Sequence, residues 1–172
     1  MHTTLNKLIE YGIHEATMAD ITDYFENRLD ESLSVDDKVE MAEIHDAIGT
    51  AEFVWLLRII PGHDKEWRLL ACDCADAAIK GYGKRRAMYP RLVHCIDVAR
   101  NLAIGRSSAE AVQFALESTA NAHENPGDEQ AVDAACATLH ESAAIALFDA
   151  CAASQEVGLA HIYPKLMKLI SS

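Results

Sequence analysis

The chain has 172 residues and a formal charge of −12, with 27 acidic and 15 basic side chains, and aromatic residues make up only 6% of it. That length suits one domain with a real core, and the charge repels phosphate, which excludes nucleic acid as the expected partner while leaving a basic protein open. Half of the residues are hydrophobic, many of them alanine, a composition that favours packed helices over sheets.

The N-terminal MHTTLNKLIEYG lacks the apolar core of a signal peptide. Thr4 to Tyr11 reads as a short helix closed by Gly12, a residue suited to the left-handed cap. Thr17 is placed to cap MADITDYFENRLDE, with Met18, Ile21, Phe25 and Leu29 or Leu33 inward and Asp23, Glu26 and Asp30 outward. Ser34 followed by Asp37 is a capping-box variant that opens VDDKVEMAEIHDAIG, putting Asp36, Glu40 and Glu43 on one side. Thr50 starts AEFVWLLRII, apolar nearly all round and so expected to be buried; Arg58 keeps it from reading as a membrane span, and Pro61-Gly62 ends it.

Asp64 caps KEWRLLACDCADAAIKGYG, whose inner stripe runs through Trp67, Leu70 or Ala71, Cys74 and Ala77 or Ala78, with Asp73, Asp76 and Lys80 outward. GYGKRRAMYP is a basic loop. Pro90 suits the first position of RLVHCIDVARNLAIG, and Gly105 its end. Ser107 with Glu110 forms a capping box for AEAVQFALESTANAH. Asn125-Pro126-Gly127 breaks the chain, and Gly158 and Pro164 are expected to cut the last segment into one kinked or two short helices.

Between those last breaks lies QAVDAACATLHESAAIALFDACAAS, Gln130 to Ser154, read as one central helix. At 100° per residue, Ala135, Leu139, Ala143, Ala146, Ala150 and Ala153 share a stripe flanked by Cys136 and Leu147. So little bulk lets a second helix approach closely, with the gain coming from dispersion contacts. Ile145 and Phe148 point elsewhere and require a second neighbour, while Asp133, His140 and Glu141 form a polar edge. No segment reads as a strand. The expected fold is all-α, a single 1–172 domain of seven to nine bundled helices around the Ala-rich one.

Candidate chemistry is sparse. His45-Asp46 matches the metal-binding dipeptide of HD-type phosphohydrolases, which hold divalent ions through imidazole and carboxylate; His14, His63 and Asp97 are the available further ligands, though no spacing selects them. Cys136 and His140 are one helical turn apart, a zinc-compatible spacing that a pair such as His94 and Cys95 would have to complete. Cys72 and Cys74 diverge by about 200° on a helix and cannot both contribute. Neither cysteine-nucleophile spacing nor a phosphate-binding glycine loop is present, and no cofactor is expected. The odd number of cysteines, five, fits reduced thiols in a cytoplasmic protein.

Charge is the stronger signal. Met1 to Ile60 holds 13 acidic and 4 basic residues, the remainder 14 and 11. Such a run is a solvated face or a docking surface that steers a basic partner. Asp23, Glu26, Asp30, Asp36, Glu40 and Glu43 are the partner-binding candidates. Their internal rivals for pairing are Lys84, Arg85, Arg86 and Arg91.

Three blocks between Asp46 and Ser154, namely DAIGTAEFVWLLRIIPG with WRLLACDCADAAI, YPRLVHCIDVARNLAIGRSSAEAV, and AVDAACATLHESAAIALFDACAAS, resemble the all-helical immunity proteins of bacterial polymorphic toxin systems. The resemblance covers about two thirds of the chain and leaves its first 45 residues unplaced. It implies a non-catalytic cytoplasmic protein that binds and neutralises a cognate toxin; the acidic third adds the expectation that this toxin is basic. The alternatives from other classes are a metal-dependent, HD-like hydrolase centred on His45 and Asp46, and a helical scaffold or adaptor.

Overall fold

The computed structural model describes residues 1–28, 34–57, 60–81, 90–120 and 129–171, without the side chains of Arg28, Gly81, Ala120, Gln155 and Glu156. The expected basic loop at 82–89, the break at Asn125-Pro126-Gly127, and Leu29, Asp30, Leu33 and Arg58 lie outside the described residues. The fold is all-α. Its helices are α1 (Leu5–Glu10), α2 (Glu15–Arg28), α3 (Met41–Leu57), α4 (Asp64–Gly81), α5 (Pro90–Ala103), α6 (Ala109–Ala120), α7 (Glu129–Ala137) and α8 (Ala143–Ile170); β1 (His2–Thr4) and β2 (Lys38–Glu40) are the strands among the described residues. The chain gathers into two compact units, Met1–Ile60 with Tyr163–Ser172, and Pro61–Ile162.

In the first unit the Thr4 hydroxyl accepts the Lys7 N–H at 3.2 Å and caps α1. Gly12, at φ 82°, lets its own N–H and that of Ile13 return to the carbonyls of Ile9 and Leu8, which closes the helix. Helix α2 begins at Glu15, earlier than a Thr17 cap allows: Met18 already donates to the His14 carbonyl, and Thr17 is buried in the first turn. Ile21 and Phe25 fill the core as expected.

The sequence offers no strand, yet two short ones pair. Ser34 N–H does donate to the Asp37 carboxylate at 2.8 Å, and Asp37 N–H returns to the Ser34 carbonyl, but these bonds close a turn. The chain then extends and pairs antiparallel with β1, Val39 opposite Thr3 and Glu40 opposite His2. Val39 is the reason: it is β-branched and 1% exposed, between exposed Lys38 and Glu40, a period of two. The helix opens only at Met41, where the Glu43 carboxylate accepts the Glu40 N–H at 3.1 Å.

Gly49 interrupts α3 at φ 78°, ψ 169°, a region open essentially to glycine alone. The chain restarts at Thr50, and Phe53, Val54, Leu56 and Leu57 enter the core.

In the second unit α4, α5, α6 and α7 share one core, built from Cys72, Ala75 and Ile79, from Leu92, Ile96 and Ala99, from Ala115, and from Ala131, Val132 and Ala135. Helix α5 starts at Pro90 and ends with Gly105 at φ 70°, where Arg106 N–H reaches the Asn101 carbonyl at 2.8 Å. The cap of α6 is Ser108, whose hydroxyl accepts the Ala111 N–H, rather than Ser107, whose hydroxyl instead donates to the Val98 carbonyl.

Two expectations about the later helices change. The Gln130–Ser154 stretch is two helices, not one, because the chain leaves α7 at Ala137 and restarts as α8 at Ala143. Thr138, Leu139 and His140 N–H groups bond three residues back, and the Arg68 guanidinium donates to the Thr138 and Glu141 carbonyls at 2.7 and 3.0 Å. Ser142 then caps α8 through its hydroxyl and the Ile145 N–H. Conversely, α8 runs unbroken through Gly158 and Pro164. Pro164 and Ala160, whose carbonyl loses its helical donor, are both exposed, so that carbonyl stays open to solvent rather than buried without a donor. The small-residue stripe does face inward: Ala135, Ala146 and Ala150 are fully buried and Ala143 nearly so.

Replacing Ala146 or Ala150 with leucine is expected to overpack these contacts and lower stability by about 1–3 kcal/mol, measured by urea unfolding. Arg68→Ala is expected to cost about 2–4 kcal/mol in the same assay, because two carbonyls lose charged donors.

Candidate functional site

His45 sits in the first half of α3, 6% exposed. Its ring lies edge-on to Phe53 at 5.3 Å and beside Tyr163 at 5.5 Å. Nδ1 is 3.3 Å from the Asp46 carboxylate and Nε2 is 3.0 Å from the Thr50 hydroxyl. Both ring nitrogens are therefore engaged, and a metal would have to displace one of these bonds. Asp46 itself is exposed. The further HD-type candidates do not gather into a ligand set: His14 is exposed, His63 packs its ring on Trp67 at 5.4 Å, and Asp97 is exposed beside Arg100 at 3.7 Å.

The Cys136–His140 spacing is not helical, because α7 ends between them. His140 is exposed and its Nδ1 accepts the Ser142 N–H, while Cys136 is half-buried. His94 is exposed and stacks edge-on to Phe114 at 6.4 Å, whereas Cys95 is fully buried. Among the described residues no group of three or more His, Cys, Asp or Glu side chains is placed to hold a metal ion.

Burial pushes Cys72 and Cys95 up to about 12, and their sulfurs point at the carbonyls of Ile96 and Ala135. Cys136 is raised by burial and then by Asp133, and Cys151 by its contact with the Cys74 thiol and then by burial. None of these four is a ready thiolate at neutral pH.

Of the acidic candidates, Asp23, Glu26, Asp36 and Glu40 are exposed. Asp23, Glu26 and Asp36 form no ion pair with any described residue. They do not make two helical faces. Asp23 and Glu26 share one edge of α2, but Asp36 lies in the turn, Glu40 ends β2 and Glu43 starts α3, since the strand replaces the expected helix. The unit that carries them holds 13 acidic and 6 basic residues. Arg91, the one proposed internal counter-charge that lies among the described residues, belongs to the second unit and is exposed.

Sequence periodicity misplaces one other acidic set. Asp73 and Asp76, expected outward, face Arg100 across α4 and α5 at 3.5 and 2.7 Å. Burial opposes the Arg100 charge, but the Asp76 hydrogen bond and the neighbouring carboxylates outweigh it and hold the guanidinium above its usual range. A groove of about 790 Å³ also opens in the second unit, lined by Asp64, Lys65, Arg68, Val112, Gln113 and Glu141 among others. Its two cations face two carboxylates, so it selects neither sign of ligand. No described helix is long and apolar enough to cross a membrane.

No family model matches the chain, and no curated protein or solved structure matches it.

A thiol held protonated by the fold makes stability fall as pH rises, because the unfolded chain releases that proton near 9 and the folded chain only near 12. Between pH 9 and 11, Cys72 and Cys95 are each expected to remove about 1.4 kcal/mol per pH unit. Urea melts across that range should show a shallower decline for Cys72→Ala and for Cys95→Ala.

Proposed function

We propose that this chain acts by stoichiometric binding, as an immunity-type protein that neutralises a cognate toxin in the cytoplasm and has no catalysis of its own. The observation that carries this reading is the set of exposed carboxylates, Asp23, Glu26 and Asp36, that no described cation answers. Of these, Asp23 and Glu26 repel each other one turn apart on α2, which slightly destabilises that helix, and a basic partner supplies the missing compensation. The three sequence blocks between Asp46 and Ser154 supply the kind of partner, a toxin. The hydrolase reading has less support, since His45 spends both nitrogens on Asp46 and Thr50. A scaffold or adaptor would use the same acidic surface on a different basic protein.

The test is a pull-down and growth-rescue experiment with the product of the neighbouring gene as the candidate toxin. The wild-type chain should co-purify with that toxin at one-to-one stoichiometry and restore growth. Reversing Asp23, Glu26 and Asp36 to lysine should leave stability within about 0.5 kcal/mol, as for exposed positions generally. It should also slow association and flatten its dependence on salt. A loss above about 2 kcal/mol would make the acidic surface structural. Unchanged association at low salt would place binding elsewhere.

A further inference from the structure

Cys74 and Cys151 lie 77 residues apart in sequence, on α4 and α8, and their sulfurs are 3.2 Å from each other. Both are buried, at 0% and 4% exposed. The approach is possible because α8 turns Cys151, Ser154 and Gly158 toward α4, positions three and four apart and all small. A Cβ built on Gly158 would collide with the Ser154 side chain of its own helix and would only touch the Cys74 sulfur, at 3.4 Å, so the glycine places α8 in ordinary contact with that thiol. A disulfide needs sulfurs about 2.05 Å apart, and closing the remaining gap takes side-chain rotation of the order of 1 Å. The other thiols are directed elsewhere, Cys72 to the Ile96 carbonyl and Cys95 to that of Ala135.

We propose that Cys74 and Cys151 are a redox modification site, a dithiol that a hydroperoxide converts to a disulfide joining α4 to α8. In the first step the Cys151 thiol, 4% exposed against 0% for Cys74, attacks the peroxide oxygen and passes its proton to the departing oxygen. The O–O bond breaks, one water or alcohol leaves, and Cys151 becomes a sulfenic acid. Cys74 then attacks that sulfur, the S–O bond breaks, and water leaves with the thiol proton as the S–S bond forms. Two thiols are oxidised by two electrons and one peroxide is reduced. The link closes a loop of about 77 residues in the unfolded chain, so it raises the melting temperature. A thiol reductant reverses it, and a reducing cytoplasm keeps the pair open until peroxide rises. Burial and scarcity of thiolate make the reaction slower than that of an exposed cysteine.

The experiment treats the folded full-length protein with hydrogen peroxide, blocks remaining thiols with an alkylating agent, and reads intact mass and peptide map. The expected product has lost two of its five free thiols, is lighter by two hydrogens before alkylation, and yields one linked peptide containing Cys74 and Cys151. Dithiothreitol should restore all the thiols. Cys151→Ser should give no linked peptide and leave Cys74 alkylated. A different cysteine pair, sulfinic acid at Cys151 without a link, or retention of every thiol by the folded protein under conditions that oxidise the urea-unfolded chain would overturn the proposal. The wild-type map decides between these outcomes even where the serine variant does not fold.

Discussion

Once the alanine-rich chain leaves its helix at Ala137, the carbonyls of the turn need donors, and α4 reaches across with Arg68 to supply them. A guanidinium suits the task because its planar fork serves two acceptors at once. It is 5% exposed, and burial holds it below the usual arginine range. No described carboxylate forms an ion pair with it, so its charge is met chiefly by two carbonyl dipoles, with Asp64 close enough to add a weaker attraction. The two bonds brace the turn between the end of α7 at Ala137 and the start of α8 at Ala143. A lysine offers one ammonium where two separated carbonyls must be bridged.

Around that joint the core is made of alanine and cysteine more than of large side chains. Helices that meet through such residues gain from close contact over long lengths, and tolerate little added volume. The same closeness brings Cys74 against Cys151 and leaves Asp76 within hydrogen-bonding distance of Arg100. Chemistry that periodicity assigns to the surface is therefore drawn inward in the second unit. In the first unit the reverse holds, and the carboxylates of α2 and of the turn before β2 remain in water.

What could be read from the sequence was local. Thr4, Gly12, Pro90 and Gly105 act where they stand, because a cap or a left-handed glycine needs only its nearest neighbours, and Gly49 marks the restart at Thr50 for the same reason. Features that depend on distant partners were not legible. Val39 becomes a strand residue because Thr3 lies opposite it. The turn after Ala137 is braced by an arginine 70 residues earlier. Gly158 and Pro164, strong breakers in isolation, are carried inside α8, where tertiary contacts outweigh propensity. The candidate site shows the same division. The acidity of the first third is plain in the composition, but the arrangement of Asp36, Glu40 and Glu43 on a turn, a strand and a helix start is not.

The two tryptophans fall one to each unit: Trp55, half-buried, in α3, and Trp67, fully buried, in α4. Trp67 packs against His63, and its indole N–H finds no acceptor among the described residues. An indole so placed emits at shorter wavelength than one that touches water, so the pair gives the molecule two separable optical signals. Each single-tryptophan variant then watches one unit. Where the two traces coincide on denaturation, the units unfold as a single cooperative body; where they part, each holds its own stability, and the chain's folding has a seam.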